Sequence, residues 1–149
     1  MTTDETQSFL ASDETPMEIL SESDCWALLR HASIGRLAFS TASGEIEIFP
    51  VNHLVDQGSI VFRTAAGAKL AGATSADEVA FEADDSDSEH GFAWSVILKG
   101  RAEMITAATG LFESFELNVR PWHASRKPYF VRLAPNSTTG RRFQIDPRL

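Results

Sequence analysis

Apolar and polar residues alternate with a period of two through most of this chain, which is the pattern of half-buried β-strands. Ile34-Gly35-Arg36-Leu37-Ala38-Phe39-Ser40 reads as one strand, and Thr41-Ala42-Ser43-Gly44 supplies turn chemistry after it. Glu45-Ile46-Glu47-Ile48 resumes the alternation and continues through Phe49-Pro50-Val51-Asn52-His53-Leu54-Val55. Pro50 cannot donate to a ladder, so an edge, a bulge or a bend is expected there. Asp56-Gln57-Gly58 turns into a strand over Ser59-Ile60-Val61-Phe62, with Ile60 and Phe62 on one face. Glu78 to Asp84 alternates again, and Ala93 to Met104 is the longest strand candidate, with Gly100 a bulge. Asp84 to Glu89 reads as a solvated acidic loop. The last third predicts a strand over Tyr129 to Leu133, a Pro135-Asn136 turn and a closing strand near Arg141 to Ile145.

Helical periodicity is confined to short stretches. Ser21, with Asp24 three residues later, resembles a capping box and opens a helix of about ten residues ending near Ala32-Ser33. Cys25, Leu28 and Leu29 fall on its apolar face. Further short helices are predicted around Lys69 to Ala73 and over Thr106 to Phe115. Six or seven strands in hairpin-like succession, with helices as connections, favour a mainly β antiparallel barrel over a doubly wound parallel sheet.

Composition narrows the function classes. The chain of 149 residues suits one domain. Residues 1–18 are acidic, rich in Ser and Thr and poor in large apolar groups, which predicts a flexible tail ahead of a single domain over 19–149. A formal charge of −8 argues against a nucleic-acid partner. Cys25 is the lone cysteine, so neither an internal disulfide nor a cysteine metal cluster is available, and the histidines show no metal-ligand spacing. A secretory signal and an apolar stretch of membrane-spanning length are both lacking, so the expected setting is the cytoplasm.

The stretch Phe62-Arg63-Thr64-Ala65-Ala66-Gly67-Ala68-Lys69-Leu70 carries the most distinctive chemistry. It passes from a strand through a glycine-containing turn into a helix start. Backbone N–H groups there point outward, Arg63 and Lys69 add two positive charges, and Thr64 adds a hydroxyl donor. A phosphate monoester fits that set, although the same residues also serve as ordinary surface charges. The two-glycine spacing of a Walker loop is absent.

Taken together, Gly35-Arg36-Leu37-Ala38, Phe49-Pro50-Val51-Asn52, Phe62-Arg63-Thr64, Gly67-Ala68-Lys69-Leu70, Val79-Ala80-Phe81-Glu82, and Trp94-Ser95-Val96 followed by Lys99-Gly100-Arg101-Ala102-Glu103 resemble the pyridoxamine 5′-phosphate oxidase-like family of FMN-binding split barrels. The resemblance covers roughly Leu20 to Phe143 and is nearest the small actinobacterial-type, nitroimidazole-reductase-like branch. It implies a homodimer with FMN in a groove between subunits. Arg63 and Lys69 would hold the phosphate, Thr64 would sit at the same site or against the flavin edge, and Leu70 would belong to the cofactor contacts. Pro50, Val51 and Asn52 would meet the flavin ring through the backbone, and Trp94 and Ser95 would lie near it. Trp122 and Arg142 complete the implied cofactor set. The resemblance further implies an oxidoreductase acting on a small organic substrate, with no side chain identified as catalytic acid or base. The oxidases themselves carry a carboxy-terminal Arg and His cluster, whereas Gly140-Arg141-Arg142-Phe143-Gln144 contains no histidine. Three alternatives stand beside this reading: a deazaflavin-dependent reductase, a non-catalytic flavin binder, and a haem protein using His53 or His123 as axial ligand.

Overall fold

A computed structural model describes residues 17–65, 67–105 and 129–146. Among these residues lie seven strands and two helices. The strands are β1 (Met17–Ile19), β2 (Ile34–Ser40), β3 (Ile46–Asp56), β4 (Ser59–Thr64), β5 (Val79–Asp87), β6 (Phe92–Ile105) and β7 (Tyr129–Gln144), and the helices are α1 (Glu22–His31) and α2 (Ala68–Ser75). All pairings are antiparallel. Their order is β1-β7-β4-β3-β2-β5-β6, and β6 pairs back onto β7, so six strands close into a barrel with β1 attached outside. Closure pairs most of the strand edges that an open sheet would leave exposed. The helices, short and few, connect the strands as expected of a split barrel.

The period of two places Leu37, Phe39, Val51, Ile60, Phe62, Phe81, Val96, Leu98, Val131 and Leu133 inside the barrel. Arg36, Glu82 and Asp84 stand outside, where one Arg36 nitrogen bonds both carboxylates at 3.0 Å. Gly35 is required by packing, since a Cβ there would enter the Phe81 ring and come within 2.8 Å of the Glu82 carbonyl. α1 starts as expected: Ser21 is the N-cap, and its hydroxyl accepts from the Asp24 N–H at 3.1 Å. Cys25, Trp26 and Leu29 face the core, with Leu28 packed at its margin. Burial, followed by the nearby Asp24 carboxylate, pushes the Cys25 thiol above its ordinary pKa, so it remains protonated.

Three expectations change. The Pro135-Asn136 turn is absent, and β7 runs unbroken for 16 residues. Gly100 pairs with Pro135 and Lys99 with Ser137, so Asn136 is the extra residue of a bulge at the expected Gly100 position. Pairing to β6 along nearly its whole length overrides the local turn preference. The acidic run is likewise strand as far as Asp87, which pairs with Phe92, and only the following residues turn. Asp87 closes that turn, accepting from the His90 backbone N–H at 3.0 Å and from its imidazole at 2.6 Å. Finally, Met17 and Glu18, read as tail, belong to β1, which is held against residues 141–143 of β7. The helix expected over residues 106–115 lies outside the described residues.

Candidate functional site

The barrel opens between β3 and β4. Their ladder begins at the Asp56-Ser59 turn and ends at the pair His53↔Phe62, yet β3 extends beyond that point to Ile46 and β4 to Thr64. Past the last pair, β3 stays on β2, with Pro50 opposite Arg36, and β4 stays on β7, with Arg63 opposite Phe130. Each strand therefore keeps one neighbour and turns its other edge toward the split.

The backbone phase at this edge follows from one hydrogen bond. The His53 N–H donates to the Ser33 carbonyl at 3.2 Å, on the β2 side. Successive amides of a strand point to opposite sides, so the Asn52 N–H and the Pro50 nitrogen face the split. Pro50 thus sits where its missing N–H costs no bond to β2. The edge expected from this proline is present, while the strand itself is continuous.

Side-chain direction divides the expected cofactor residues. Pro50, Asn52, Arg63 and Ser95 have outward parity, and the Arg63 guanidinium lies 5.1 Å from the centre of the Phe130 ring. Val51 and Trp94 are buried in the core, and Leu70 packs against it, so these residues could meet a cofactor mainly through backbone. Thr64 has the inward parity of Ile60 and Phe62 and is buried, with its hydroxyl donating to the Ala65 carbonyl at 3.3 Å. Lys69, in the first turn of α2, lies 5.0 Å from the centre of the Phe49 ring, which itself stacks on Phe39 at 5.9 Å. The two expected phosphate cations therefore rest on aromatic faces from different strands, Lys69 on Phe49 of β3 and Arg63 on Phe130 of β7, the strand behind β4.

α2 is suited to an anion at its start. Gly67 has φ 143°, a conformation that side chains disfavour, and the first helical bond runs from the Ala71 N–H to the Gly67 carbonyl at 3.0 Å. The amides ahead of that bond point out of the helix, where no side chain caps them and no acidic residue stands in the first turn. Gly72 lets the helix lie against Phe39, because a Cβ there would run into that ring.

The remaining expected residues stand apart. Trp94 and Ser95 are on β6, opposite Arg142 and Arg141 of β7. Arg142 is engaged by Glu18 of β1 through bonds of 3.0 and 2.8 Å and lies over Phe92 at 5.5 Å. Arg141, with Ser95 and Thr139, lines a hollow of about 190 Å³ on the outer wall. Trp122 and His123 lie outside the described residues. His53, the other candidate axial ligand, points into the barrel and donates from Nε2 to the Leu29 carbonyl at 2.9 Å, so that nitrogen is not presented to a haem. In the sequence Phe49 stands out only inside the Phe49-Pro50-Val51-Asn52 motif and Phe130 only inside a strand; the register sets Phe130 opposite Arg63, and the tertiary fold brings Lys69 over Phe49.

Similarity to known proteins agrees with this architecture. Residues 21–142 match the family model described as pyridoxamine 5′-phosphate oxidase. The uncharacterized protein Rv0080 of Mycobacterium tuberculosis is 32% identical over 145 residues, covering 93% of this chain and 94% of its own. A structure from Corynebacterium glutamicum, described as a pyridoxamine 5′-phosphate oxidase candidate, is 34% identical with a TM-score of 0.74, covering 89% of this chain and 98% of its own. A structure described as the FAD binding protein from Mycobacterium smegmatis is 36% identical with a TM-score of 0.69, covering 85% and 98%. On this evidence of sequence and fold, the chain belongs to the pyridoxamine 5′-phosphate oxidase-like family.

Proposed function

We propose that this protein binds FMN at the split between β3 and β4 and acts as a flavin-dependent oxidoreductase on a small organic substrate. The observation that carries the reading is the end of the β3–β4 ladder at His53↔Phe62, with Arg63 of β4 over Phe130 of β7 and Lys69 over Phe49 of β3. Arg63, Lys69 and the amides at the start of α2 would hold the phosphate, and the Pro50-Val51-Asn52 edge would offer backbone groups to the ring. Bound flavin supplies hydride or electron transfer, and the protein contributes orientation and a restricted solvent environment. Ser95 and Arg141 lie on β6 and β7, away from the β3 lip, so a cofactor touching both regions calls for a second copy of the chain. That separation supports a homodimer with the cofactor between subunits.

A second reading keeps the site and changes the nucleotide. The 36% identical structure from Mycobacterium smegmatis is described as FAD-binding. The test is a fluorescence titration of the purified protein with FMN and with FAD, repeated for Arg63→Ala and Lys69→Ala. Each substitution removes a charge-assisted contact to phosphate and is expected to weaken binding by roughly 10- to 100-fold. Tighter binding of FAD would select the second reading. If neither flavin binds at micromolar concentration, the flavin assignment fails and a deazaflavin titration follows.

A further inference from the structure

His53 occupies the last rung before the split, opposite Phe62 and next to Asn52. The residue is 8% exposed. A carbonyl only accepts, so the 2.9 Å contact between Nε2 and the Leu29 oxygen assigns the proton to Nε2. Nδ1 is then the lone-pair nitrogen, and it is buried with no hydrogen-bond partner among the described residues. The Phe81 ring meets the imidazole edge-on at 5.0 Å. The same residue's backbone N–H holds Ser33. Two bonds from one residue thus tie the inner end of the β3 lip to the last turn of α1 and the connection that follows it.

We propose that His53 is a positioning residue, pinning the cofactor-facing lip of β3 to α1 through its Nε2 proton, and that gain of a proton on Nδ1 releases this pin in acid. The proposal rests on the flavin reading for its effect on binding, while the pin itself stands on the contacts above. A proton on Nδ1 would create a buried donor, and a buried charge, in an imidazole packed against the apolar ring of Phe81. Among the described residues, no acid is hydrogen-bonded to the imidazole. In α1, Arg30 and His31 are exposed, and in β5 Glu82 points outward to Arg36. Burial lowers the His53 pKa, opposed by the Leu29 hydrogen bond. The unfolded chain therefore takes up this proton first as pH falls below about 6.5, so the contribution to stability is complete above that value and declines beneath it.

The experiment compares wild type, His53→Gln and His53→Leu as full-length chains between about pH 5.5 and 7.5. Gln retains an N–H donor for the Leu29 carbonyl and does not titrate, whereas Leu fills space without donating. Wild type is expected to lose about tenfold in FMN affinity across this range, since one linked proton permits up to tenfold per pH unit. His53→Gln should change by less than about twofold, and His53→Leu should bind weakly at every pH. Equal pH dependence in wild type and His53→Gln would overturn the proposal. Thermal melting of the flavin-free proteins separates the two readings. If wild type binds no flavin, a melting temperature that falls in acid for wild type alone supports the pin, and parallel curves overturn it. Should His53→Gln fail to fold, ¹⁵N spectra of the wild-type imidazole decide: an Nε2–H tautomer near pH 7.5 with a proton gained in acid supports the pin, and an Nδ1–H tautomer or no titration overturns it.

Discussion

At the scale of single residues, close approach governs the barrel's tolerance. Gly140 of β7 faces the core, and a Cβ there would stand 2.5 Å from the Cys25 sulfur and 3.3 Å from a Val96 methyl. Gly140→Ala is therefore expected to cost about 1–3 kcal/mol through overpacking, read from urea unfolding. Pairing it with Cys25→Ala removes the obstructing sulfur, so the double variant should lose less than the sum of the single losses. Additive losses would show that the strain lies in the β7 backbone instead. Sequence placed Cys25 on the apolar face of its helix, but its contact with a glycine 115 positions away emerges from the barrel's closure.

Individual elements hold position through a few polar staples. Arg132 of β7 binds the Asp56 carbonyl at 3.3 Å and the Asp56 carboxylate at 3.0 Å, and it also contacts the Ser59 hydroxyl. Both partners of the ion pair are largely shielded, with side chains 18% and 16% exposed. This staple fastens the β3–β4 turn to β7 at the end of β4 remote from the split. Arg132→Leu would leave the Asp56 carboxylate without this pairing, at a cost of about 1–3 kcal/mol measurable by urea unfolding. Because Arg132 fastens the turn end of β4 and not the end that carries Arg63, FMN affinity, measured where the variant remains folded, is expected to change little. On the same outer face of these elements, Val61, the register partner of Arg132, is buried with Ile105, and Leu54 and Phe130 pack against them. Val61 therefore breaks the simple alternation of β4, because both faces of that strand are covered.

For the whole molecule, the decisive matter is whether one cofactor site draws on two chains. The β3–β4 split and the Ser95-Arg141 hollow belong to different sectors of the barrel. If a second copy completes the site, Arg63→Ala and Ser95→Trp damage opposite halves of it. An equal mixture unfolded and refolded together should then form hybrid dimers in about half of the population, each with one undamaged site, restoring about one quarter of the sites. Flavin titration of the mixture against each variant alone measures this. No recovery in a mixture shown to contain hybrid dimers would place the whole site within one chain. Against an acidic net charge of −8, the cations Arg63 and Lys69 are the more telling feature for an anionic ligand.

By itself the sequence determined the strand periods, the capped first helix, the Gly100 bulge, the barrel class and the family, because each is written in local alternation, turn chemistry or ordered motifs. It also marked Arg63 and Lys69 as cations beside a helix start. Only tertiary structure decided that Tyr129–Gln144 is one strand, that the acidic run is paired to Asp87, and that Met17–Ile19 joins the sheet. Those outcomes depend on partners dozens of residues away, whose pairing outweighs local preference. The same holds for the split itself: nothing in β3 or β4 alone states where their ladder must stop, and the answer comes from β2 and β7 drawing the two strands apart.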